Sequence, residues 1–465
     1  MRILLRRRAR WALLIACFAA SGCDGASGDP DSGVGPRSDA GASQDASTSA
    51  DASPVVDGGA GSDGGASDGG TAPSGPSLPP ACPDTGVEHT TADLGWTEGQ
   101  EVRDALRALL ETVDPGDTIV LSHLYQLSSG GVEVPDGVHF SAAPGAGFQL
   151  VGIADASGPY IDLSSCTRWH NLSIVDDQPR GTEEFVRTNN KTAVRARGEN
   201  LLFDQCLFDA NTKTQLELRD VSNARIHSTH FDNGYFTLLI RPQTQDVEIT
   251  DSLFSNSFGD GIKTVGSGAS DVRRMVVRRT VFEDNLRDGI DTTGGWRASR
   301  VESCIFRRNG VSGMDIKNVY NTGAALHPEG SPNSEMDVID SEFIDNPNGI
   351  VLTTNDIAQA LTEASDAAHL VRDLRVVRCI FERNEGSGRG FLIKDAHSIS
   401  WDGVELLGDT TLHRIFGPDE NRMFGGQLVR PPIPMTNYDI DGDGVTTGPA
   451  RGSNDIMPFT AVGPR

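Results

Sequence analysis

The sequence has little that would hold it in a membrane or against a polyanion. The apolar run near the N-terminus extends only from Trp11 to Ala20, whereas a membrane-spanning helix needs about 20 apolar residues. Basic residues are also few, because 40 Lys and Arg stand against 65 Asp and Glu, for a net charge of -25 at pH 7. This excess argues against nucleic acid or an anionic membrane surface as a partner. It also counts against polyanionic sugars, unless a cation mediates.

Residues 23–80 contain almost no large apolar side chains. They are mostly Gly, Ala, Ser, Asp and Pro, with nine Asp and one Arg. Such a segment cannot bury enough apolar surface to offset the entropy of ordering it. We therefore predict a flexible, acidic tether.

Residues 1–22 are predicted to be an export signal peptide, since several Arg precede the apolar run and small residues follow it. Ala20-Ser21-Gly22-Cys23 resembles a bacterial lipobox, in which Cys23 becomes the lipidated first residue of the mature chain. This resemblance implies an exported lipoprotein of the bacterial cell envelope, periplasmic or at the cell surface, that touches the membrane through its lipid alone. Ordinary cleavage after a small residue is the alternative.

One unit recurs through the rest of the chain, most clearly from Asp251 to Lys317. Each copy has an apolar residue five positions before a Phe, a small residue two before it, and an Asn two or three after it. The Phe residues are Phe208, Phe231, Phe254, Phe282, Phe306, Phe343 and Phe381. Such a unit predicts one coil of a parallel β-solenoid, in which successive coils stack about 4.8 Å apart and like residues form ladders.

The unit resembles the right-handed parallel β-helix repeats of the pectate-lyase-like superfamily. The resemblance implies an all-β fold, a single right-handed parallel β-helix over residues 151–430, with an N-terminal cap and first coils over 81–150 and a C-terminal capping tail over 431–465. A capping α-helix is predicted from Thr97 to Val113, where Thr97 and Gln100 match a capping box. The fold says little about activity, because the same architecture serves enzymes, adhesins and other proteins.

The cysteines that share the small-residue register are expected to be buried side chains rather than disulfides or metal ligands. They are Cys206, Cys304 and Cys379. Cys82 and Cys166 can form a disulfide in an oxidising envelope, and the sequence leaves their pairing open.

The tail contains the first half of an EF-hand loop, in Asp439, Asp441 and Asp443. The twelfth position is Ala450, where a Ca²⁺ loop needs a bidentate Glu. The tail also resembles a closing segment of bacterial β-helix proteins. We expect a structural cap, with weak Ca²⁺ binding as the alternative.

Two coils carry about 14 extra residues, near 318–335 and 355–370, directly after the same strand of the unit. Loops at the same corner of neighbouring coils commonly form the wall of a binding groove. Such loops also occur without any role in binding.

Charged residues gather at one place in three coils. Lys263, Asp291 and Asp315 each come nine residues after their Phe, and Asp260 and Asp288 come six after theirs. Strand alternation places the first three on the solvent side, opposite to the core residue before each, and Lys317 lies on that side too. Carboxylates this close repel each other unless a Ca²⁺ ion or the two lysines neutralise them.

The arrangement resembles the calcium-dependent pectate lyases of polysaccharide lyase family nine. Asp260 fits the first element of the family motif, Arg287-Asp288-Gly289-Ile290-Asp291 the second and Lys317 the third. Arg287 stands where the family has an Asp, a metal ligand that Asp315 can replace. The resemblance implies Ca²⁺ on Asp260, Asp288, Asp291 and Asp315. It also implies a deprotonated Lys317 as the base, and Lys263 or Arg287 stabilising the intermediate of β-elimination on a uronic-acid polysaccharide.

A solvated ladder of ion pairs is the competing interpretation of the same residues. The protein would then be a non-enzymatic surface β-helix, acting in adhesion, envelope structure or glycan binding. A hydrolase or an epimerase also stays open, although no Ser-His-Asp order stands out. In each case we expect a monomer that does not bind nucleic acid.

Overall fold

The computed structural model describes residues 82–83, 85–153, 158–178, 180–188, 191–266, 272–319, 333–355, 371–394 and 396–415, with short pieces at 423–424, 427–428 and 438–439. The predicted signal peptide, the tether and most of the tail lie outside these residues, as do the centres of the two long loops. No helix in the described ranges is long and apolar enough to span a membrane.

The described chain is mostly strand, with helices α1 (Arg103–Leu110) and α2 (Glu183–Thr188). The strands are β1 (Glu88–Thr90), β2 (Thr118–Leu121), β3 (Leu124–Ser128), β4 (Val132–Val134), β5 (His139–Ala142), β6 (Gly147–Val151), β7 (Pro159–Leu163), β8 (Arg168–His170), β9 (Ser173–Asp176), β10 (Thr192–Asp204), β11 (Leu207–Asp209), β12 (Thr214–His227), β13 (His230–Asp232), β14 (Phe236–Ile240), β15 (Gln245–Thr250), β16 (Leu253–Ser255), β17 (Asp260–Thr264), β18 (Val272–Arg273), β19 (Val276–Arg278), β20 (Val281–Glu283), β21 (Asp288–Asp291), β22 (Trp296–Glu302), β23 (Ile305–Arg307), β24 (Ser312–Val319), β25 (Ser334–Ile339), β26 (Glu342–Ile344), β27 (Asn348–Asn355), β28 (Val371–Val377), β29 (Ile380–Lys394), β30 (Ala396–Asp402), β31 (Glu405–Ile415), β32 (Met423–Phe424), β33 (Gln427–Leu428) and β34 (Tyr438–Asp439).

These strands stack in three parallel faces of a right-handed β-helix, as the sequence predicts. The first face runs from β1 through β2, β5, β8 and the ends of β10 and β12 to β15, β19, β22, β25, β28 and β30. The second face runs through β3, β6, β9, β11, β13, β16, β20, β23 and β26 to the start of β29. The third face runs through β4, β7, the starts of β10 and β12, and then β14, β17, β21, β24 and β27.

The seven recurring Phe residues form one continuous stack on the inner side of the second face. Neighbouring ring centroids lie 4.7–5.0 Å apart and the ring planes are within 10° of parallel from Phe208 to Phe381. The centroid spacing equals the spacing of neighbouring strands, so each coil contributes one ring. The sequence register is therefore confirmed, and residues far apart in sequence are brought side by side.

Five of the Asn residues that follow a Phe fall into two structural groups. Asn233 and Asn256, two positions after their Phe, take left-handed backbone conformations with φ of 67° and 54°, which Asn tolerates better than most residues. Asn285, Asn309 and Asn346, three positions after theirs, are buried. Their amides link coil to coil, Asn285 to Asn309 at 2.8 Å and Asn309 to Asn346 at 3.0 Å.

Arg–Asp pairs join successive coils at the corners. Arg279 donates two hydrogen bonds of 2.7 Å to Asp251, and Arg308 donates bonds of 3.0 and 2.7 Å to Asp284. All four residues have φ between 47° and 55°. These pairs are largely exposed, so each contributes little to stability, about 0–1 kcal/mol.

The N-terminal helix is shorter than predicted. It begins at Arg103 rather than near Thr97, because Thr97 and Gln100 form a local turn instead, in which the Thr97 amide donates to Gln100 Oε1 at 3.0 Å. Gly99 has φ +68°, which ends that turn before a helix can start. Leu106 and Leu110 of α1 are buried against the first coils, so the helix does act as a cap.

The cysteines behave as two distinct groups. Cys82 and Cys166 form a disulfide, with their Cα atoms 5.3 Å apart and 84 positions between them in sequence. Cys206, Cys304 and Cys379 are free and buried, and burial raises the pKa of each thiol to about 12. The second group matches the expectation of inert, buried side chains.

Replacing Cys82 with Ser is expected to lower the free energy of unfolding by about 2–4 kcal/mol, because the disulfide closes a long loop in the unfolded chain. Urea titrations of the wild type and of Cys82→Ser, each with and without reductant, measure the change. Reductant should destabilise the wild type to the level of the variant and leave the variant unchanged. Equal stability of the two oxidised proteins would contradict the prediction.

Candidate functional site

Three consecutive strands of the third face bring the predicted charged residues together. Lys263 of β17 pairs in register with Asp291 of β21, which pairs with Asp315 of β24. The same register places Asp260 of β17 beside Asp288 of β21, and the backbone amide of Asp288 donates a hydrogen bond to Asp260 Oδ1 at 3.3 Å. The Phe stack fixes the register of the coils. Carboxylates that are distant in sequence consequently lie close together on the third face.

These side chains are buried, which strand alternation alone did not predict. Asp260 and Asp291 are 0% exposed, and Asp288 is 1% exposed. Asp291 lies on the opposite side of its strand from the core residue Ile290, and Asp260 and Asp288 are the first residues of their strands. All three are nevertheless shielded from water. A solvated ladder of ion pairs is therefore not what the third face carries at this point.

Two lysines pair with three of the four carboxylates in this cluster. Lys317 Nζ lies 2.8 Å from Asp291 Oδ2 and 2.7 Å from Asp315 Oδ2. Lys263 Nζ donates to Asp291 and lies 3.6 Å from Asp260 Oδ2. Asp291 is thus held between two ammonium groups, at the centre of the cluster.

Arg287 is the most exposed of the predicted site residues. Its side chain is 34% exposed, and its Nε lies 3.7 Å from Asp260 Oδ1. The charge of Asp260, followed by that of Asp288, raises the pKa of this guanidinium above its usual value. Arg287 therefore remains charged and offers a cation at the edge of the buried cluster.

Burial and charge drive the pKa values of neighbouring carboxyls apart. Burial, joined by the charges of Asp315, Asp260 and Asp291, raises the pKa of Asp288 well above its usual value. Burial also acts to raise the pKa of Asp291, but Lys263 and Lys317 outweigh it and hold that pKa well below the usual range. The cluster therefore contains a carboxyl that favours its proton and a carboxylate that resists protonation.

The surroundings of Lys317 favour its ammonium form. Burial alone would lower its pKa, but the attraction of Asp291, then of Asp315 and Asp288, raises the pKa well above its usual value. The deprotonated amine that the family resemblance implies is therefore not the form present when the carboxylates have no other cation.

Two neutral residues complete the site and were missed from the sequence. Thr293 donates to Asp291 Oδ1 through its amide at 3.1 Å and its hydroxyl at 2.6 Å. Ser312 donates its hydroxyl to Asp288 Oδ1. A signal for Ser312 was present, because it comes six residues after Phe306, the same position that Asp260 and Asp288 occupy in their coils.

The donor set fits a hard divalent cation. One oxygen each from Asp260, Asp288 and Asp291 lies within 4.8 Å of the others. Asp260 Oδ2 and Asp315 Oδ1 are buried and accept no hydrogen bond from the described residues, whereas buried polar atoms normally have a partner. Ca²⁺ binds carboxylate oxygens of this kind, although here it would compete with the two lysine amines.

The other predicted sites are not described. Cys23, Asp441 and Asp443 lie outside the described residues, and of Asp439 only its place in β34 is known. Lipidation of Cys23 and weak Ca²⁺ binding in the tail stay predictions.

A sequence family described as a right-handed β-helix region matches residues 185–322, a stretch that includes the whole cluster. No curated protein matches the chain significantly. Three solved structures resemble it over most of their own length at low identity.

The first is the A-module of a mannuronan C-5 epimerase from Azotobacter vinelandii, 13% identical, covering 71% of this chain and 98% of its own, with a TM-score of 0.47. The second is an alginate lyase from Paenibacillus sp. str. FPU-7, 12% identical, covering 67% of this chain and 96% of its own, with a TM-score of 0.41. The third is a polygalacturonase from Erwinia carotovora ssp. carotovora, 11% identical, covering 74% of this chain and 100% of its own, with a TM-score of 0.49. By sequence, then, this chain contains a right-handed β-helix region, which is the architecture that its own strand pairing shows.

Proposed function

We propose that this protein cleaves a uronic-acid-containing polysaccharide by β-elimination, at the cluster formed by Asp260, Asp288, Asp291 and Lys317. The observation that carries the proposal is the buried convergence of three carboxylates, within 4.8 Å of one another, beside two amines. Burying like charges is costly, and clusters of perturbed carboxyls are typical of sites that bind ions or move protons.

Asp260, Asp288 and Asp291, with Asp315, would hold a Ca²⁺ ion. When bound, the ion supplies positive charge that neutralises the sugar carboxylate and acidifies the neighbouring C5 proton. With a cation bound to its carboxylate partners, Lys317 would no longer be held in its charged form. Its Nζ would be the base that takes the C5 proton. The C5–H electrons form the C4=C5 double bond, the C4–O bond breaks, and the leaving oxygen takes a proton from solvent.

Two other cations can bind the developing negative charge. Arg287 is one third exposed and permanently charged, so it can hydrogen-bond the carboxylate of the intermediate. Lys263 is the second cation. Its Nζ pairs with Asp260 and Asp291 and lies 5.9 Å from the centre of the Phe236 ring, and these contacts hold the amine beside the carboxylates.

The activity is tested by incubating the purified full chain with polyuronates and following the ultraviolet absorbance of unsaturated sugar ends. The proposal predicts product with Ca²⁺ and little or none with a chelator. Absence of product from a broad panel of acidic glycans, with Ca²⁺ present, would overturn it.

Metal binding has a readout that does not depend on activity. Ca²⁺ at about 100 times its dissociation constant is expected to stabilise the wild type by about 3 kcal/mol, which appears as a rise in melting temperature. Asp260→Asn should lose this rise, because it removes one of the three convergent carboxylates. Asp284→Asn, which removes a carboxylate from an exposed corner pair with Arg308, serves as the matched control and should keep it. A rise that survives in Asp260→Asn would place the ion elsewhere.

The second candidate is a non-enzymatic β-helix protein that binds glycans or serves envelope structure. It is favoured by the close pairing of Lys317 with Asp291 and Asp315, because a lysine amine offsets part of the carboxylate charge without a metal. In that case the cluster only joins coils, and neither Ca²⁺ nor glycan cleavage depends on it.

A further inference from the structure

A second charged cluster lies on the same face, toward the N-terminus. At its centre is Glu217 of β12, a buried carboxylate whose side chain is 2% exposed. Arg195 Nε donates to Glu217 Oε2 at 2.9 Å, Arg219 Nη2 to Oε1 at 2.8 Å, and Arg241 Nε to Oε1 at 2.7 Å. One carboxylate thus anchors three guanidinium groups on three successive coils.

Positive charge is in excess within this cluster. Arg195 and Arg197 also approach Asp162, at 3.6 and 3.9 Å, and Glu133 lies beside Asp162 on the preceding coil. Four guanidinium groups therefore face three carboxylates. Arg241 also helps to lower the pKa of nearby Lys213, after the effect of burial, as expected where positive charge is not balanced.

The guanidinium groups are accessible although their anchor is buried. The side chains of Arg219 and Arg241 are 36% and 37% exposed, and that of Arg197 is 50% exposed. Each guanidinium has five N–H donors in a planar fork that matches a carboxylate. Glu217 therefore holds the guanidinium groups in place and leaves part of each to solvent.

The cluster is aligned with the buried acidic site. Glu217 pairs in register with Leu239, and Leu239 with Lys263. Glu217 and Lys263 are thus two coils apart on the third face, a separation of about 10 Å. A polymer lying along the helix axis can contact both.

We infer that the arginines Arg195, Arg219 and Arg241, anchored by Glu217, form a binding subsite for the carboxylates of a polyuronate chain that extends from the acidic cluster. The inference rests on the proposed function and deepens it. It also resolves an electrostatic difficulty, because a chain with a net charge of -25 needs local positive charge to hold an anionic polymer. The subsite supplies that charge from the protein itself.

The test is affinity electrophoresis of the full chain through gels that contain a polyuronate, with a chelator present so that no metal bridges protein and sugar. The double variant Arg219→Gln/Arg241→Gln is expected to bind at least about tenfold more weakly than the wild type, the loss of one to two charge-assisted contacts. Arg274→Gln/Arg279→Gln is the matched control, since it removes the same charge from exposed Arg–Asp pairs at other corners. It should bind as the wild type does.

Arg241→Gln alone keeps the inference testable if the double variant fails to fold, because Arg195 and Arg219 still pair with Glu217. It should bind more weakly than the wild type. Wild-type binding by Arg241→Gln, or equal binding by the two double variants, would overturn the subsite. Equal affinity for a sulfated or a neutral glycan would overturn its assignment to carboxylates.

These outcomes are separable from failure of the proposed activity. Arginine-dependent binding without any unsaturated product would support the subsite and reject the lyase. Product formation whose KM is the same in Arg219→Gln/Arg241→Gln as in the wild type would support the lyase and reject the subsite.

Discussion

Replacing Lys317 with Met is expected to lower the rate of unsaturated product formation by about 10²–10⁴-fold, the usual contribution of a positioned base. Lys317 lies between Asp291 and Asp315, with its side chain 15% exposed, so it is both paired and reachable. Met keeps the length of the side chain and removes the amine. Initial rates on a polyuronate with saturating Ca²⁺ measure the effect.

Lys317→Arg is the control that separates proton transfer from charge neutralisation. Arg restores a cation beside Asp291 but cannot give up its proton near neutral pH. If Lys317 is the base, Lys317→Arg should be as inactive as Lys317→Met while its stability stays close to that of the wild type. Activity near the wild-type rate in Lys317→Arg would rule out the role of base.

Replacing Asp291 with Asn is expected to lower the free energy of unfolding by about 3–5 kcal/mol, because removing one partner leaves buried charge uncompensated. Asp291 is fully buried and pairs with both Lys263 and Lys317. Asn has the same size but no charge, so both ammonium groups lose their main partner. Urea unfolding followed by circular dichroism measures the change.

Two further variants show whether the loss comes from this pairing. Asp284→Asn removes a carboxylate from an exposed corner pair with Arg308 and should cost no more than about 1 kcal/mol. Lys263→Met combined with Asp291→Asn should cost less than the sum of the two single changes, since the double variant removes opposite charges together. A loss in Asp291→Asn no larger than that in Asp284→Asn would contradict the network.

The coil register could be predicted from the sequence because it depends on one strongly repeated residue. Counting from each Phe brought Lys263, Asp291 and Asp315 into one ladder, and the strand pairing confirms that ladder. Parallel stacking allows such counting, since one ring occupies each coil whatever the length of the loops between them.

The burial of the site could not be predicted from strand alternation. Alternation tells which side of a strand Asp291 occupies, not whether neighbouring side chains on that side cover it. The pairing of each lysine also depends on rotamers that the register does not fix. For this reason the sequence predicted a solvent-facing patch, and the structure has a buried network.

Glu217 could have been found by the same counting, because it comes nine residues after Phe208. The next coil places Leu239 in that ladder, so the run of charged residues is interrupted. The arginines that surround Glu217 come from three coils, and only the folded register shows that they meet at one carboxylate.

Proton NMR of a polyuronate incubated in D₂O with the full chain and Ca²⁺ tests the central claim most directly, because each reaction class leaves a different signature. Elimination gives the signal of a C4=C5 double bond in shortened chains. The buried cluster around Asp291 predicts this signal, and predicts its loss in Lys317→Met. Deuterium at C5 without cleavage, new chain ends without unsaturation, or an unchanged polymer would each contradict it.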